Sequence, residues 1–222
     1  IFFKSFFSKI PLILISDSRI KDYKRKFYKE FIKKLLIRGI SASLVAGTES
    51  KEYLLRLNFQ KENIFMPCDV VDNNFFLSAN YKNNLETKNY FLCIARFVKK
   101  KNHIKLLEGF VNYKKNKGKF DLVLIGDGPE KESILNFIST SNFSSSIYVK
   151  SWKQIYELPS YYKNSKAFIL ASSSDQWGLV VNEALACGVP CIVSKNCGCY
   201  VDLIKNANTG WGFDSENELE LS

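Results

Sequence analysis

Glycine and proline are scarce in this sequence, 11 and five residues of 222, too few for a collagen-like or low-complexity chain. Histidine occurs once, at His103, and no two cysteines have C-x-x-C spacing, so Cys187, Cys191, Cys197 and Cys199 make a poor zinc site. The six cysteines are spread through a chain of ordinary size, which fits a reducing cytosol better than a disulfide scaffold. No apolar run is long enough to span a membrane, because the opening IFFKSFFSKIPLILIS is broken by Lys4 and Lys9. That opening also lacks the basic start, unbroken apolar stretch and small-residue cleavage site of a signal peptide. The chain begins with Ile and stops in SENELELS, which reads as two cuts in a longer protein.

What the chain does have is apolar content, 46% against 24% charged, enough for one large or two modest cores. Its formal charge is +10, so the average surface potential attracts anions: nucleotides, phosphates, nucleic acid or acidic lipid. The lysine excess also reads as a coding bias toward AT-rich codons.

The pattern of apolar residues alternates between strand and helix. PLILIS is of strand type, apolar residues recur at helical spacing from Lys21 to Arg38, and ASLVAG is a second strand. SKEYLLRLNF follows as a helix capped by Ser50, then NIFMP as a strand. LSANYKNNLETK is polar and Asn-rich and reads as a linker. A new series starts at NYFLCIARF, and through FDLVLIG, SIYVK, AFILAS and PCIVS it repeats strand, helix, strand. Such alternation predicts parallel sheets with crossover helices, whose ligands sit at the carboxyl ends of the strands.

Three constellations lie there. Arg96 and Lys101 follow FLCIA and open a helix, where permanent cations, the helix dipole and backbone N–H groups favour phosphate; a solvated lysine cluster is the alternative. Gly126 and Gly128 form a Gly-Asp-Gly-Pro turn after LVLI, either for close approach of a nucleotide or as a plain tight turn, and not the G-x-G-x-x-G of a dinucleotide site. In SSSDQWGLVVNEALACGVPCIVS, Asp175 lies in a loop, Gly178 at a helix start and Glu183 one turn inside the helix. Ionised carboxylates are pure acceptors suited to sugar hydroxyls; a paired acid and base for hydrolysis is the competing reading.

This last stretch resembles the E-x7-E segment of the retaining nucleotide-sugar transferases of glycosyltransferase family 4 (glycosyl transferases group 1). IARFVKKKNHIKLLEGF is similar to that family's G-R-L-x-x-x-K segment, LVLIGDGPEKESI to its G-x-G-P turn, and LPSYYKNSKAFILASS to the stretch before its motif. FMPCDVVDNNFF and ASLVAGTESKEYLLRLNF are more loosely similar to the end of its amino-terminal domain. The resemblance implies a GT-B fold of class α/β, with two Rossmann-like doubly wound parallel-sheet domains facing a cleft. Residues 1–78 would be the second half of an incomplete acceptor-side domain, 79–88 the linker and 89–222 the donor domain.

It further implies a glycosyltransferase of hexosyl type that moves a sugar from a UDP- or GDP-type donor to an acceptor hydroxyl with retention. Arg96 and Lys101 would hold the diphosphate, Asp175 the transferred sugar and Glu183 the ribose, with N–H groups from Gly178, Leu179 and Val180. Gly126 and Gly128 would lie beside the donor. Asp175 replaces the usual Glu and Ala95 the usual Gly; the glycine-rich donor loop of the first domain is missing, and Asp17, in Ser16-Asp17-Ser18, is the acceptor-side candidate. No cofactor is implied and no metal, since the cations neutralise the leaving group and no Asp-x-Asp is present. His103 reads as a structural residue at a helix start, with contact to the donor phosphates as the alternative.

The acceptor would be a saccharide or lipid-linked, and the location the cytoplasm. Phe2, Phe3, Phe6 and Phe7 among Lys4 and Lys9 suggest contact with the inner face of a membrane, or else a buried helix. A nucleic-acid-binding module would need aromatics stacked on bases; these fall at core spacing, so nucleic acid is not expected as a partner. A non-catalytic nucleotide-binding module is the remaining alternative.

Overall fold

The computed structural model describes residues 10–78, 87, 89–217 and 220. The chain divides into two compact units between Val70 and Val71. In the first, three strands, β1 (Ile13–Ser16), β2 (Ala42–Val45) and β3 (Ile64–Phe65), form a parallel sheet in the order β1-β2-β3. Ile13 lies opposite Ala42, and Ser43 opposite Ile64. Helix α1 (Phe27–Leu36) joins β1 to β2 and α2 (Thr48–Arg56) joins β2 to β3, as the alternation of patterns predicts.

One face of this sheet is covered. Val45 packs with Tyr53, Leu54, Leu57 and Ile64, and Leu14 joins them from β1. The alternation of a strand sends Ile13 and Ile15 to the other face, where they are 64% and 69% exposed. No residue of α1 is buried. Ser50 does not cap its helix: it lies inside α2, whose N-cap is Gly47, and its hydroxyl donates to the Asp17 carbonyl at 3.0 Å. A hydroxyl that finds the carbonyl of the loop after β1 has no need of its own helix end.

The second unit is a six-stranded parallel sheet of β4 (Tyr90–Ile94), β5 (Asp121–Ile125), β6 (Ile147–Lys150), β7 (Ala167–Leu170), β8 (Cys191–Ser194) and β9 (Gly210–Phe213). The order is β6-β5-β4-β7-β8-β9, the 3-2-1-4-5-6 order of a doubly wound sheet counted from β4. Its helices are α3 (Asn73–Ser78), α4 (His103–Lys115), α5 (Lys131–Thr140), α6 (Leu158–Asn164) and α7 (Leu179–Ala186). Leu106, Leu107 and Phe110 of α4 and Ile134 and Ile138 of α5 pack on one face with Leu122 and Leu124. Every residue of β7 is buried, which is why AFIL reads as an unbroken apolar run rather than an alternation.

The helix expected from Lys21 begins only at Phe27, after a 3-10 turn at Ile20–Asp22, and two further elements depart from the sequence reading. Asn73–Ser78, expected with the first domain and partly in the linker, forms α3 of the second unit, anchored by fully buried Phe76. Residues 79–86 and 88 of the expected linker lie outside the described residues, as do Phe2, Phe3, Phe6 and Phe7. β9 is the second, since GWGF carries too few side chains to read as a strand. Its glycines are there for space: a Cβ at Gly210 would stand 1.8 Å from the Cys191 carbonyl oxygen, and one at Gly212 2.1 Å from the Tyr200 ring.

Candidate functional site

β4 pairs with β5 on one side and β7 on the other, and the chain winds away from these two strands in opposite directions. This is the topological switch point of the sheet, and in doubly wound folds ligands bind in the crevice outside the carboxyl ends of the strands at that point. The loop after β4 carries Arg96 and Lys101. The loop after β7 carries Asp175 and Gly178.

Lys101 and Asp175, 74 residues apart, meet there: the Lys101 ammonium donates to Asp175 Oδ2. Their side chains are only 15% and 12% exposed, so water screens the pair weakly. Backbone bonds fix both loops. Ser173 N–H donates to the Lys100 carbonyl at 2.9 Å, Gly198 N–H to the Asp175 carbonyl at 2.9 Å and Cys199 N–H to the Trp177 carbonyl at 3.1 Å. Buried Ser172 adds a hydroxyl 3.4 Å from Asp175 Oδ2.

Gly178 opens α7 with φ at +106°, left-handed backbone that a side chain would strain. A Cβ there would also meet Leu170 Cδ2 at 2.8 Å. Val181 N–H turns back to the Gly178 carbonyl at 2.8 Å, while the N–H groups of Leu179 and Val180 donate to no described residue. Two free donors at a helix start are an anion-binding feature.

Glu183 lies on the second turn of α7 and does not touch Asp175 or Lys101. Its Oε2 accepts a 2.7 Å hydrogen bond from the Tyr162 hydroxyl, and no cation pairs with it among the described residues. Burial pushes its carboxyl above the ordinary range, and the Tyr162 hydrogen bond pulls it partly back. Arg96 is exposed, with no ion pair to a described residue.

The glycine turn has a cause within the chain. A Cβ at Gly126 would stand 2.0 Å from the Ala95 carbonyl oxygen, and one at Gly128 2.5 Å from that of Phe97. Phe97 N–H donates to the Asp127 carbonyl and Glu130 N–H to the Phe97 carbonyl, each at 2.9 Å. The two glycines thus seat the Arg96 loop against the turn after β5.

His103 is 3% exposed and neither ring nitrogen has a hydrogen-bond partner among the described residues. It packs edge-on against Phe97 at 4.9 Å, so the alternative of contact with a ligand fails on access. Burial, helped by the Lys101 charge, pushes its pKa down to about 4. Between the ordinary histidine range near 6.5 and 4, the unfolded chain takes up a proton that the folded chain excludes. The sign is a loss of stability as pH falls through that window, at roughly 1.4 kcal/mol per pH unit. Urea unfolding should show this slope, and His103→Phe should flatten it relative to the parent.

Cys191, Cys197 and Cys199 lie near one another in and just after β8, but among the described residues no three His, Cys, Asp or Glu side chains are placed to hold a metal ion. Burial pushes the Cys93 and Cys191 thiols up to about 12, and Cys197 and Cys199 are buried beside the Asp175 loop. In the first unit, Asp17 follows β1 and the Asp69 carboxyl is raised by burial and by the Asp17 charge, so two carboxyls approach at the carboxyl edge of that sheet. Among the described residues no helix is long and apolar enough to cross a membrane.

Sequence reasoning missed Tyr162, Ser172 and the 196–199 segment. Ser172 and the segment flank the recognised motif, but nothing in spacing says that Gly198 and Cys199 bind its backbone.

Comparison with known proteins bears on both units. The family model for glycosyl transferases group 1 matches residues 78–222. The chain is 25% identical to the alpha-monoglucosyldiacylglycerol synthase of Acholeplasma laidlawii, over 95% of this chain and 59% of that one. It is 26% identical to the N-acetyl-alpha-D-glucosaminyl L-malate synthase of Bacillus anthracis, over 79% of this chain and 45% of that one. Anabaena Alr3699/HepE in complex with UDP superposes with a TM-score of 0.80 at 15% identity, covering 99% of this chain and 62% of that one. Its complex with UDP-glucose gives 0.76. At that identity the likeness is one of fold, the α/β GT-B fold expected from the sequence. The chain spans about half of the curated relatives it matches.

Proposed function

The chain belongs to the glycosyl transferases group 1, and from that premise we propose that its second unit binds a nucleotide diphosphate sugar whose sugar is passed to an acceptor hydroxyl. The observation that carries this reading is the contact of Lys101 with Asp175 at the switch point of the sheet. A cation touching a carboxylate complements a donor in which an anionic diphosphate is bonded to a hydroxyl-bearing sugar.

In the proposed reaction the bond from the anomeric carbon to the diphosphate oxygen breaks and its electron pair leaves with the diphosphate, while the acceptor oxygen bonds to the anomeric carbon and its proton passes to the departing diphosphate. Lys101, Arg96 and the free N–H groups of Leu179 and Val180 stabilise that charge, as fixed donors do when they need no reorganisation. Asp175 orients the sugar by accepting from its hydroxyls, and Glu183 accepts from the ribose. Gly126 and Gly128 act through the loop they seat. Retention of configuration and hexosyl transfer rest on the resemblance of the Asp175–Glu183 segment to the retaining family 4 enzymes. Complexes of Anabaena Alr3699/HepE with UDP and with UDP-glucose support a UDP-type donor.

On the acceptor side, the diacylglycerol named in the Acholeplasma relative supports a lipid-linked acceptor, with Asp17 the candidate nearest that chemistry. Exposed Phe27 and Phe31 of α1 among lysines support a membrane-facing reading. Sedimentation with anionic vesicles that weakens as salt rises would support it; no sedimentation at low salt would remove it. The domain reading assigns the bare face of Ile13 and Ile15 to packing against the rest of an acceptor-side domain.

Calorimetry with UDP, GDP and UDP-glucose tests the donor site, followed by donor hydrolysis with the best binder. Arg96→Ala is expected to weaken binding about tenfold or more, since a hydrogen bond to a charged group is worth roughly 1.5–3 kcal/mol, with an unchanged melting temperature because the side chain is exposed. Glu183→Gln should weaken it similarly; alanine is the poorer test because it strands the buried Tyr162 hydroxyl. Unchanged affinity in both variants would remove the assignment.

A further inference from the structure

Tyr162 is fully enclosed, yet it spends its hydroxyl on Glu183 Oε2 at 2.7 Å. Packing does not ask for a hydroxyl at this place. The ring lies 6.3 Å from Phe76 and 5.5 Å from Phe168, surroundings that phenylalanine suits as well. A phenol in such a setting is costly unless its hydroxyl is satisfied, and the carboxylate satisfies it. Glu183 has the complementary need, being a largely buried carboxylate with no cation partner among the described residues.

Helix α7 packs against α3, α6, β7 and β8. The titratable groups these elements carry are Tyr161, Tyr162, Lys163 and Cys191, with Cys187 at the end of α7 itself. Lys163 Nζ donates to the Leu77 carbonyl at 2.6 Å, Cys187 Sγ to that of Phe76 at 3.6 Å and Cys191 Sγ to that of Val189 at 3.5 Å. Lys153 stands over the Tyr161 ring at 5.9 Å. Tyr162 alone of these hydrogen-bonds Glu183.

We propose that Tyr162 is a positioning residue for Glu183: by occupying Oε2 it fixes the rotation of the carboxylate and leaves Oε1 as the acceptor for a ligand diol. This rests on the reading of Glu183 as the ribose-binding carboxylate. The bond also opposes the upward push of burial on the Glu183 carboxyl. Without it the carboxyl takes a proton at higher pH, and a ligand that needs the ionised form is lost sooner on acidification.

The test uses UDP as the probe and calorimetry across the acid range. Tyr162→Phe is expected to bind UDP about tenfold more weakly and to move the acid limb of the affinity profile to higher pH. Placed on Glu183→Gln, the same change should cost almost nothing further. Fluorotyrosine at position 162, a more acidic donor of nearly the same shape, should move the limb to lower pH, and it keeps the idea testable if the phenylalanine variant fails to fold. An unmoved limb in both, or the same loss with and without the Glu183 carboxylate, would overturn the proposal. Carbon NMR titration of Glu183 in the unliganded parent and Tyr162→Phe judges the pair without any ligand: an upward shift supports the coupling and an unmoved titration rejects it. Failure of the parent to bind UDP would count against the donor-site reading, with that titration still deciding whether Tyr162 governs Glu183.

Discussion

Lys101→Met is expected to abolish measurable binding of UDP and to lower the stability of the second unit together with it. Among the described residues Lys101 contributes the ammonium held at the switch point by a carboxylate, and removing a charge from a weakly screened anion contact costs about 2–5 kcal/mol, roughly thirtyfold in affinity or more. The variant also leaves Asp175, with a side chain 12% exposed, without its cation. Breaking a fully buried pair costs about 3–5 kcal/mol; with edges open to water here, roughly half of that is expected in urea unfolding. Asp175→Asn separates the two effects. It removes the carboxylate that competes with diphosphate for Lys101, so UDP should bind as tightly as before or tighter, while UDP-glucose should lose whatever advantage its sugar confers. If Lys101→Met binds UDP like the parent, the diphosphate does not lie at this switch point.

Gly126→Ala should be severely damaging for a change that adds only one methyl group. Its Cβ would stand 2.0 Å from the Ala95 carbonyl oxygen and 2.9 Å from the Phe97 ring, and the first of these is backbone that cannot rotate away. The loop after β4 must lift off the turn after β5 and break the bond from Phe97 N–H to the Asp127 carbonyl. Overpacking of this kind costs about 1–3 kcal/mol and more where backbone must move, so a destabilisation of roughly 3 kcal/mol or greater is expected in urea, with UDP binding lost alongside it. Gly188→Ala is the control, because nothing lies within 4 Å of a Cβ there, although its φ of +74° still carries a strain. Equal stability of Gly126→Ala and the parent would mean that the two loops are not seated on each other.

Much of the candidate site was legible because its residues follow strand-like runs at places the chain pattern itself marks. FLCIA, LVLIG and FILAS are buried on both faces, so they read as central strands, and a ligand site lies beyond their carboxyl ends. Arg96, Lys101, Asp175 and Gly178 all follow from that rule together with the family resemblance. Tyr162 did not, because LPSYYKNS shows two adjacent tyrosines and no local cue says which of them faces another helix. Ser50 misled for a similar reason: a serine before an apolar periodic run is a cap signal, and only the neighbouring β1 loop showed that its hydroxyl has a different acceptor.

The glycines show where local reading ends. Gly126 and Gly128 read as a turn and Gly210 and Gly212 carry no signal in the sequence, yet what each avoids is an atom distant in sequence: Ala95, Phe97, Cys191 and Tyr200.

The sequence alone determined the alternation of strand and helix, the parallel character of the sheets and the chemical types at the carboxyl ends, because side-chain periodicity and charge are local properties. Tertiary structure decided the strand order, the membership of α3 in the second unit, β9 as an edge strand, and the partners of the charged groups. Lys101 finds Asp175 across 74 residues and Tyr162 finds Glu183 across 21. Such pairings are set by the winding of the chain about β4 and β7, and a buried charge or hydroxyl takes whichever partner that winding brings within reach.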